Sequence, residues 1–363
     1  MLFIISFSVY HIILNRVITI IAFFRNNIVT VFRFRNDKTY TCFVIFVDRG
    51  PLVLAEHMCY NKSIPYHAED TLLHTITITD VRPTMGDSGF LLDDGTTSVL
   101  YDTGFAFTGY RLAEAVKKVL GSRKLDYIFL THSHYDHALG AMYVKKYWPD
   151  AKIAAGEYAA KIFAKPTART VMRDLDRKMA ASCGVETYED LIDTLSVDIF
   201  LQDGDILHAG DMDFTVVALP GHTRCSVGFY LAENRLLLGT ETLGLFGGPG
   251  IVMPSYLVGY GITLDSIRRA ENLDIASLLL PHYGLLTCEE TTAFLGNCRK
   301  SAVYTGETMV GILQSGGTDA DAFSWFKDTF YHGHVKATYP RDAMELNTGI
   351  MIKLIRKELL GES

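Results

Sequence analysis

The chain has 363 residues, 48% of them hydrophobic and 21% charged, enough to bury a full core without disulfide staples, as one large domain or two modest ones. A formal net charge of −7 lacks the basic footprint of a protein that grips phosphate backbones, which excludes nucleic acid as the main partner. Six cysteines, Cys42, Cys59, Cys183, Cys225, Cys288 and Cys298, stand far apart with no C-x-x-C pair, so they form neither a disulfide framework nor a zinc knuckle and suit a reducing cytoplasm.

Residues 1–57 differ from all that follows: Ile, Phe, Val, Asn and Arg dominate, and Gly and Ala are almost missing. The opening MLFIISFSVYHIILNRVITIIAFF raises a membrane anchor, but His11, Asn15 and Arg16 interrupt it where a charge costs about 2.5 kcal/mol or more. Without a basic start or a small-residue cleavage site it does not read as a signal peptide either. The expectation is a poorly structured, apolar extension over residues 1–57, with Met58 as an alternative start, no membrane partner, and an anchor as the rival reading.

From TLLHTITITDV onward, short apolar strands alternate with turn signals, and DDG at 93–95 marks a hairpin. GYRLAEAVKKVL then reads as an amphipathic helix ended by Gly121, followed by a strand through YIFL. Residues 154–195 are expected to be mostly helical with Pro166 as a break, and VDIFLQDGDILHAGDMDFTVVALPGHT returns to strands with tight Gly/Asp turns. Two further strands lead to a glycine-rich loop at 247–250, a helix TLDSIRRAEN and a strand IASLLL. The remainder, 291–363, reads as a helical layer or cap.

The chemistry is concentrated in FLTHSHYDHALGAM, residues 129–142. In H-x-H on an extended segment both side chains face one side, so His132 and His134 can chelate one ion as neutral imidazoles. Asp136 and His137 follow in the turn, where they can face a second ion, so the motif is a split ligand set that needs partners from elsewhere. The chain offers them at strand ends: His222 in LPGHT, Glu241 in GTETLG and His282 in LLLPHYG.

That spaced series resembles the metallo-β-lactamase fold superfamily over roughly residues 74–290. The first motif is highly specific, whereas GHT, or PHYG in place of the family's frequent P-G-H-G, would be weak alone. The resemblance implies an α/β fold, a four-layer αββα sandwich of two mixed β-sheets flanked by helices over residues 58–290, with the helical C-terminal extension 291–363 packed on it. It implies that His132, His134 and His222 hold one metal, that Asp136, His137 and His282 hold the other, and that a carboxylate bridges them. The bridge departs from the family pattern: G-D-T is replaced by T-E-T, with Glu241 offering the same carboxylate on a longer stem. Asp102 in LYDTG matches a family position at which a carboxylate orients a ligand imidazole.

The implied activity is hydrolysis of a small ester, thioester, lactone or lactam by a hydroxide bridging two divalent metals, with Asp136 orienting it as well as binding metal. Zinc fits the nitrogen and oxygen donors, and iron or manganese fits the same set. A small-molecule substrate is the expected partner, and a homo-oligomer is left open. Rival readings are a small-molecule phosphodiesterase and a metal-binding scaffold without catalysis, the latter hinted at only by the Asp-to-Glu change. A redox branch of the superfamily carries Glu where this chain has His134, and no flavodoxin-like tail is evident. Specificity is expected from loops at 155–200 and 244–262. His332 and His334 in YHGHVK repeat H-x-H without an acidic neighbour and read as a solvated loop, and Cys225 reads as a small buried residue.

Overall fold

The computed structural model describes residues 76–362 with their side chains and, before them, only the backbone of Thr75 and of five strands. Four of these, β1 (Tyr10–Leu14), β2 (Val17–Phe24), β3 (Asn27–Asn36) and β4 (Thr39–Val47), pair in an antiparallel meander within a unit spanning Met1–Met58, separate from Cys59–Ser363. The expected poorly structured character of residues 1–57 falls largely outside the described residues.

The second unit is built on two mixed sheets. The first contains β5 (Asn61–Pro65), β6 (Thr75–Asp80), β7 (Phe90–Asp93), β8 (Ser98–Tyr101), β9 (Tyr127–Leu130), β10 (Lys152–Gly156) and β11 (Ile199–Leu201) in the reverse of that order. β5 to β8 run antiparallel, as the hairpin signal at Asp93 and Asp94 requires, and β8 to β11 run parallel. The second contains β12 (Ile206–Ala209), β13 (Met212–Ala218), β14 (Val227–Leu231), β15 (Leu236–Leu238), β18 (Ser277–Leu280) and β19 (Gly284–Leu285), with β15 and β18 parallel. The glycine-rich stretch turns a separate hairpin, β16 (Leu245–Gly248) with β17 (Ile251–Met253).

Side-chain alternation along the strands makes the layers. Phe129 of β9 faces the second sheet, stacked 4.7 Å from Phe229 and edge-on 5.1 Å from Phe214, and Leu236 and Leu238 of β15 share that inter-sheet core. Ile128 and Leu130 face the opposite way, onto α1 (Gly109–Leu120), α3 (Ala141–Tyr147), α4 (Glu157–Phe163) and α5 (Pro166–Ser182), with the one-turn α2 (Tyr135–Ala138) between α1 and α3 in the chain. Leu237 and Leu278 of the second sheet pack outward on α6 (Tyr260–Glu271) and α7 (Cys288–Gln314). The order helix, sheet, sheet, helix is the four-layer αββα sandwich expected.

Local signals explain several helix ends. Leu112, Val116 and Leu120 form the buried stripe of α1, and Gly121 closes it at φ 63°, a left-handed position that favours glycine. Pro166 opens α5 at its first turn, where its missing N–H is harmless, and α4 ends at Phe163, so the stretch is mostly helical with a break at Pro166 as expected. The helix expected at TLDSIRRAEN begins earlier, at Tyr260. Thr287 and Glu290 form a capping box on the 27-residue α7. α8 (Asp319–Phe330), α9 (Gly333–Thr338) and α10 (Arg341–Leu359) complete a C-terminal layer around Phe326, Met344 and Ile355. Among the described residues no helix is long and apolar enough to cross a membrane.

Candidate metal centre

Strand direction brings the candidate residues to one edge. The parallel strands β8 and β9 end together, so Asp102 and the segment His132–His137 leave the first sheet side by side. In the second sheet β13 and β15 are both antiparallel to β14, and β15 is parallel to β18, so His222, Glu241 and His282 follow strand ends that point the same way. A bond from Val227 N to Thr131 O, 2.9 Å, ties the two edges together. His134 sits at the N-cap of α2, so Asp136 and His137 lie on a one-turn helix and not in the turn expected.

Four of the five imidazoles are oriented through Nδ1. His137 Nδ1 lies 2.8 Å from Asp102 Oδ2, His282 Nδ1 lies 2.9 Å from the Gly86 carbonyl, and His222 Nδ1 lies 2.8 Å from Ser255 Oγ. His132 Nδ1 meets Thr131 Oγ1 at 2.9 Å, and that hydroxyl donates to Asp102. The acceptors fix the proton on Nδ1 in His137 and His282 and turn Nε2 to the centre. There His282 Nε2 and His137 Nε2 are 3.1 Å apart, and His222 Nε2 and His134 Nδ1 are 3.0 Å apart. Glu241 faces both pairs: its Oε2 is 2.8 Å from His222 Nε2 and 3.4 Å from those of His132 and His137, and its Oε1 is 3.4 Å from His282 Nε2. Asp136 Oδ2 lies 3.8 Å from His137 Nε2 and 3.7 Å from His282 Nε2.

All seven residues are thus brought together, in two groups: His132, His134, His222 and Glu241, and Asp136, His137 and His282, each with donor atoms within 4.8 Å of one another. In neutral rings, the lone pairs of His137 and His282 Nε2 face each other with no proton between them, a repulsive arrangement that a cation relieves. His132 Nε2 and Glu241 Oε2 are buried without a hydrogen-bond partner among the described residues. The donor set therefore fits divalent metal.

Burial first, then the positive charge of neighbouring imidazoles, holds His132 and His134 well below the ordinary imidazole range. His137 goes the other way: burial opposes the charge, but the Asp102 and Asp136 carboxylates outweigh it and raise the ring well above that range. For Glu241 burial would raise the acid, and His222, His132 and His137 prevail, holding it well below the carboxylate range.

Two of the three non-glycine residues with left-handed backbone among the described residues are at this centre: Asp102 at φ 56° and His282 at φ 62°. Such strain persists where surroundings over-determine it. Arg82 supplies part of that restraint, its guanidinium held by Asp80 while donating to the carbonyls of His282 and Tyr283. Gly104, at φ 64°, passes so close to Asp87 that a Cβ would lie 1.7 Å from Oδ1.

The centre opens into a cavity of about 1000 Å³ lined by His134, Asp136, His222 and Glu241 and walled in part by the C-terminal layer. Sequence reasoning missed Arg82, Ser255 and Tyr339. The buried Tyr339 accepts a 2.5 Å hydrogen bond from Asn347 Nδ2 and lies beside Ser255. His334 is not in a solvated loop: it lies within α9, half-buried, its ring 4.8 Å from Tyr283 and 6.3 Å from Phe246. Cys225 is buried, as expected.

Comparison with known proteins agrees with this geometry. Glyoxylase B2 of Dictyostelium discoideum is 31% identical over 114 residues, 31% of this chain and 34% of that protein. Hydroxyacylglutathione hydrolase of Ectopseudomonas mendocina (strain ymp) is 31% identical over 130 residues, 36% of this chain and 37% of that protein. Acyl-coenzyme A thioesterase MBLAC2 of Bos taurus is 26% identical over 118 residues, 31% of this chain and 39% of that protein. The chain thus matches little more than a third of the length of each of these relatives. Among solved structures, a metallo-beta-lactamase family protein from Thermus thermophilus superposes with a TM-score of 0.51 at 18% identity, over 83% of this chain and 93% of that one, a likeness of fold. The model of the metallo-beta-lactamase superfamily matches residues 82–282, from the arginine that braces the His282 loop to His282 itself. That stretch is more than half of the chain and carries both groups of converging side chains, so the chain belongs to the metallo-beta-lactamase superfamily.

Proposed function

We propose that this chain is a binuclear metal-dependent hydrolase of small esters, with thioesters first among them. The observation that carries the reading is the facing of imidazole lone pairs around Glu241 at the floor of one large cavity. His132, His134 and His222 would hold one divalent ion, Asp136, His137 and His282 the other, and Glu241 faces both; zinc suits these donors. When bound, the ions supply Lewis acidity and a water acidic enough to attack at neutral pH.

The chain's own residues do the rest. Asp102 keeps the His137 proton on Nδ1, and Ser255 does the same for His222. Asp136 is the most exposed of the carboxylates at the centre, and lines the cavity, so it can accept the proton of an attacking water and orient its oxygen toward a carbonyl. Two relatives, an acyl-coenzyme A thioesterase and a hydroxyacylglutathione hydrolase, favour thioesters over lactams.

Elemental analysis of protein grown with added zinc should approach two metals per chain. A constant stoichiometry of one, unchanged in Glu241→Ala, removes Glu241 from the site and the second ion with it. A panel of thioester, lactone, β-lactam and phosphodiester substrates then decides the reaction: phosphodiester turnover alone would replace the ester reading, and no turnover in metal-replete protein would leave a binding scaffold.

A further inference from the structure

Soluble surfaces scatter their exposed apolar side chains, so their convergence on one hollow calls for an occupant. Of the twelve exposed large hydrophobic residues among the described ones, Met85, Tyr158, Leu175 and Leu346 all line the cavity that opens from the metal centre. Tyr158 and Leu175 come from α4 and α5, and Leu346 from α10, with Ile350 one turn further along the same helix. Two walls of different origin thus carry apolar groups, and the whole cavity, at about 1000 Å³, stands at the upper end of the size of small-ligand sites.

The same cavity is lined by two cations that a chain of net charge −7 leaves without an ion pair or hydrogen bond among the described residues. Arg224 follows His222 by two residues, Lys336 lies on α9, and both are exposed. The other lining cations are engaged: Lys178 meets Asp342 at 2.6 Å and Arg341 meets Glu345 at 2.7 Å. Unpaired cations in a concave site attract an anionic ligand.

We infer that the cavity takes an acyl thioester whose long apolar acyl arm lies between α4–α5 and α10 and whose thiol portion is anionic. The proposal rests on the hydrolase reading for the bond that is cut, not for what is bound. In that cut the C–S bond breaks, the water oxygen joins the acyl carbon, and the thiol leaves with a proton from water, so nothing further is consumed.

The test uses the full chain loaded with zinc and three thioester series, each running from acetyl to dodecanoyl. Coenzyme A esters carry phosphates, glutathione esters carry carboxylates, and N-acetylcysteamine esters are uncharged. kcat/KM should rise at least about a hundredfold from acetyl to dodecanoyl, since each methylene leaves water for an apolar wall. Leu346→Glu should cut that ratio about tenfold or more, while Leu359→Glu, an exposed position on α10 outside the cavity, should leave it unchanged. A flat chain-length profile overturns the acyl arm. So does a Leu346→Glu protein that keeps the ratio and changes oligomeric state, which would assign the apolar walls to a second copy.

At equal acyl length the charged thioesters should exceed the neutral one by about tenfold at low salt, and Arg224→Ala with Lys336→Ala should shrink that gap. The preferred charged series tells phosphate from carboxylate, and equal rates in all three overturn the anionic thiol. If no series is hydrolysed, the hydrolase reading fails by itself. Calorimetry then decides the acyl arm: dodecanoyl-coenzyme A should bind at least about tenfold more tightly than acetyl-coenzyme A, and equal binding overturns it.

Discussion

The sandwich edge and the C-terminal layer meet at one cavity but contribute to it differently. At the sandwich edge, function sits where the backbone stops being regular: Asp102, His132, His222, Glu241 and His282 all follow strand ends, and two of them hold left-handed backbone. The C-terminal layer contributes through helices, offering Leu346 and Ile350 from one helix and Tyr339 from the link before it. The first region concentrates charge and strain, and the second supplies shape. Chemistry of this kind needs a rigid frame for the ligands, while the choice of substrate can be rewritten in an added layer without disturbing them.

The largest expected effect tests whether these are two regions or one. α7 joins them: Phe294, Cys298 and Ala302 on its first half pack on the second sheet, and Met309 on its later half packs in the core of the C-terminal layer. Phe326 is buried in that core, 5.0 Å from the Phe330 ring. Phe326→Ala should therefore destabilise the chain by about 3–5 kcal/mol, in a single transition. The chain's two tryptophans report the regions separately, Trp148 beside α3 and Trp325 in α8. Urea unfolding of Trp148→Phe and Trp325→Phe proteins should give coincident curves. Non-coincident curves would make the layer an independent unit.

The next largest lies inside the centre. Asp136→Asn keeps an oxygen for metal but can neither accept a proton nor carry the charge that aligns a nucleophile. We expect metal content largely kept and kcat lower by about a hundredfold or more. Full activity in a metal-replete protein would assign the orientation of the attacking water to another group.

The contrast between the regions also explains what can be read from the sequence. His132 to His137 are legible because a dense run of ligand types is rare and its partners each sit before or after a turn signal. The alternation that puts Phe129 inward and Ile128 outward is legible as strand, and Leu112, Val116 and Leu120 as helix. Pro166 is legible as a break because proline cannot continue a helix but can open one, and α4 ends at Phe163 while α5 starts at Pro166. Tyr339, by contrast, is hidden. One tyrosine among nineteen carries no local mark, and its partners Ser255 and Asn347 become neighbours only when α9 and α10 fold over the sandwich. His334 misleads on the same ground, since Tyr283 lies far from it in sequence.

A smaller effect tests how α5 is anchored to the sandwich. Asp176 accepts from Ala106 N at 2.9 Å and from Tyr188, close after the β8 end that carries Asp102. Burial is the main cause that pushes this acid up to about 6, against 3.8 for the free side chain. The folded state thus binds a proton that the unfolded state releases between those values. The resulting stabilisation is complete below the unfolded value and is lost as pH rises through about 6. Asp176→Asn removes this dependence. Relative to the parent, the variant should gain on the order of 2 kcal/mol between about pH 4 and pH 7.5, by urea unfolding at each pH. A constant difference would mean that the carboxyl is ionised in the folded protein throughout.

The smallest expected effect asks whether the C-terminal layer is only a wall. With Nε2 turned to the centre, His222 carries its proton on Nδ1 and donates to Ser255 Oγ. That leaves the Ser255 proton free for the neighbouring Tyr339 oxygen, which also accepts from Asn347. Tyr339 is thereby a positioning residue for a candidate ligand 117 residues earlier, acting through one hydroxyl. Tyr339→Phe keeps the ring and its packing, and removes only the oxygen. Loss of such a partner to a ligand imidazole weakens metal binding or activity by about 10–100-fold, and one step further removed the lower end applies. We expect about a tenfold weaker affinity for the more loosely held zinc, read by competition with a chromophoric chelator, with kcat restored at saturating metal. A merely structural tyrosine would lower thermal stability and leave the chelator titration unmoved. A drop in kcat that saturating zinc does not restore would instead place the phenol against the substrate, in the cavity it already lines.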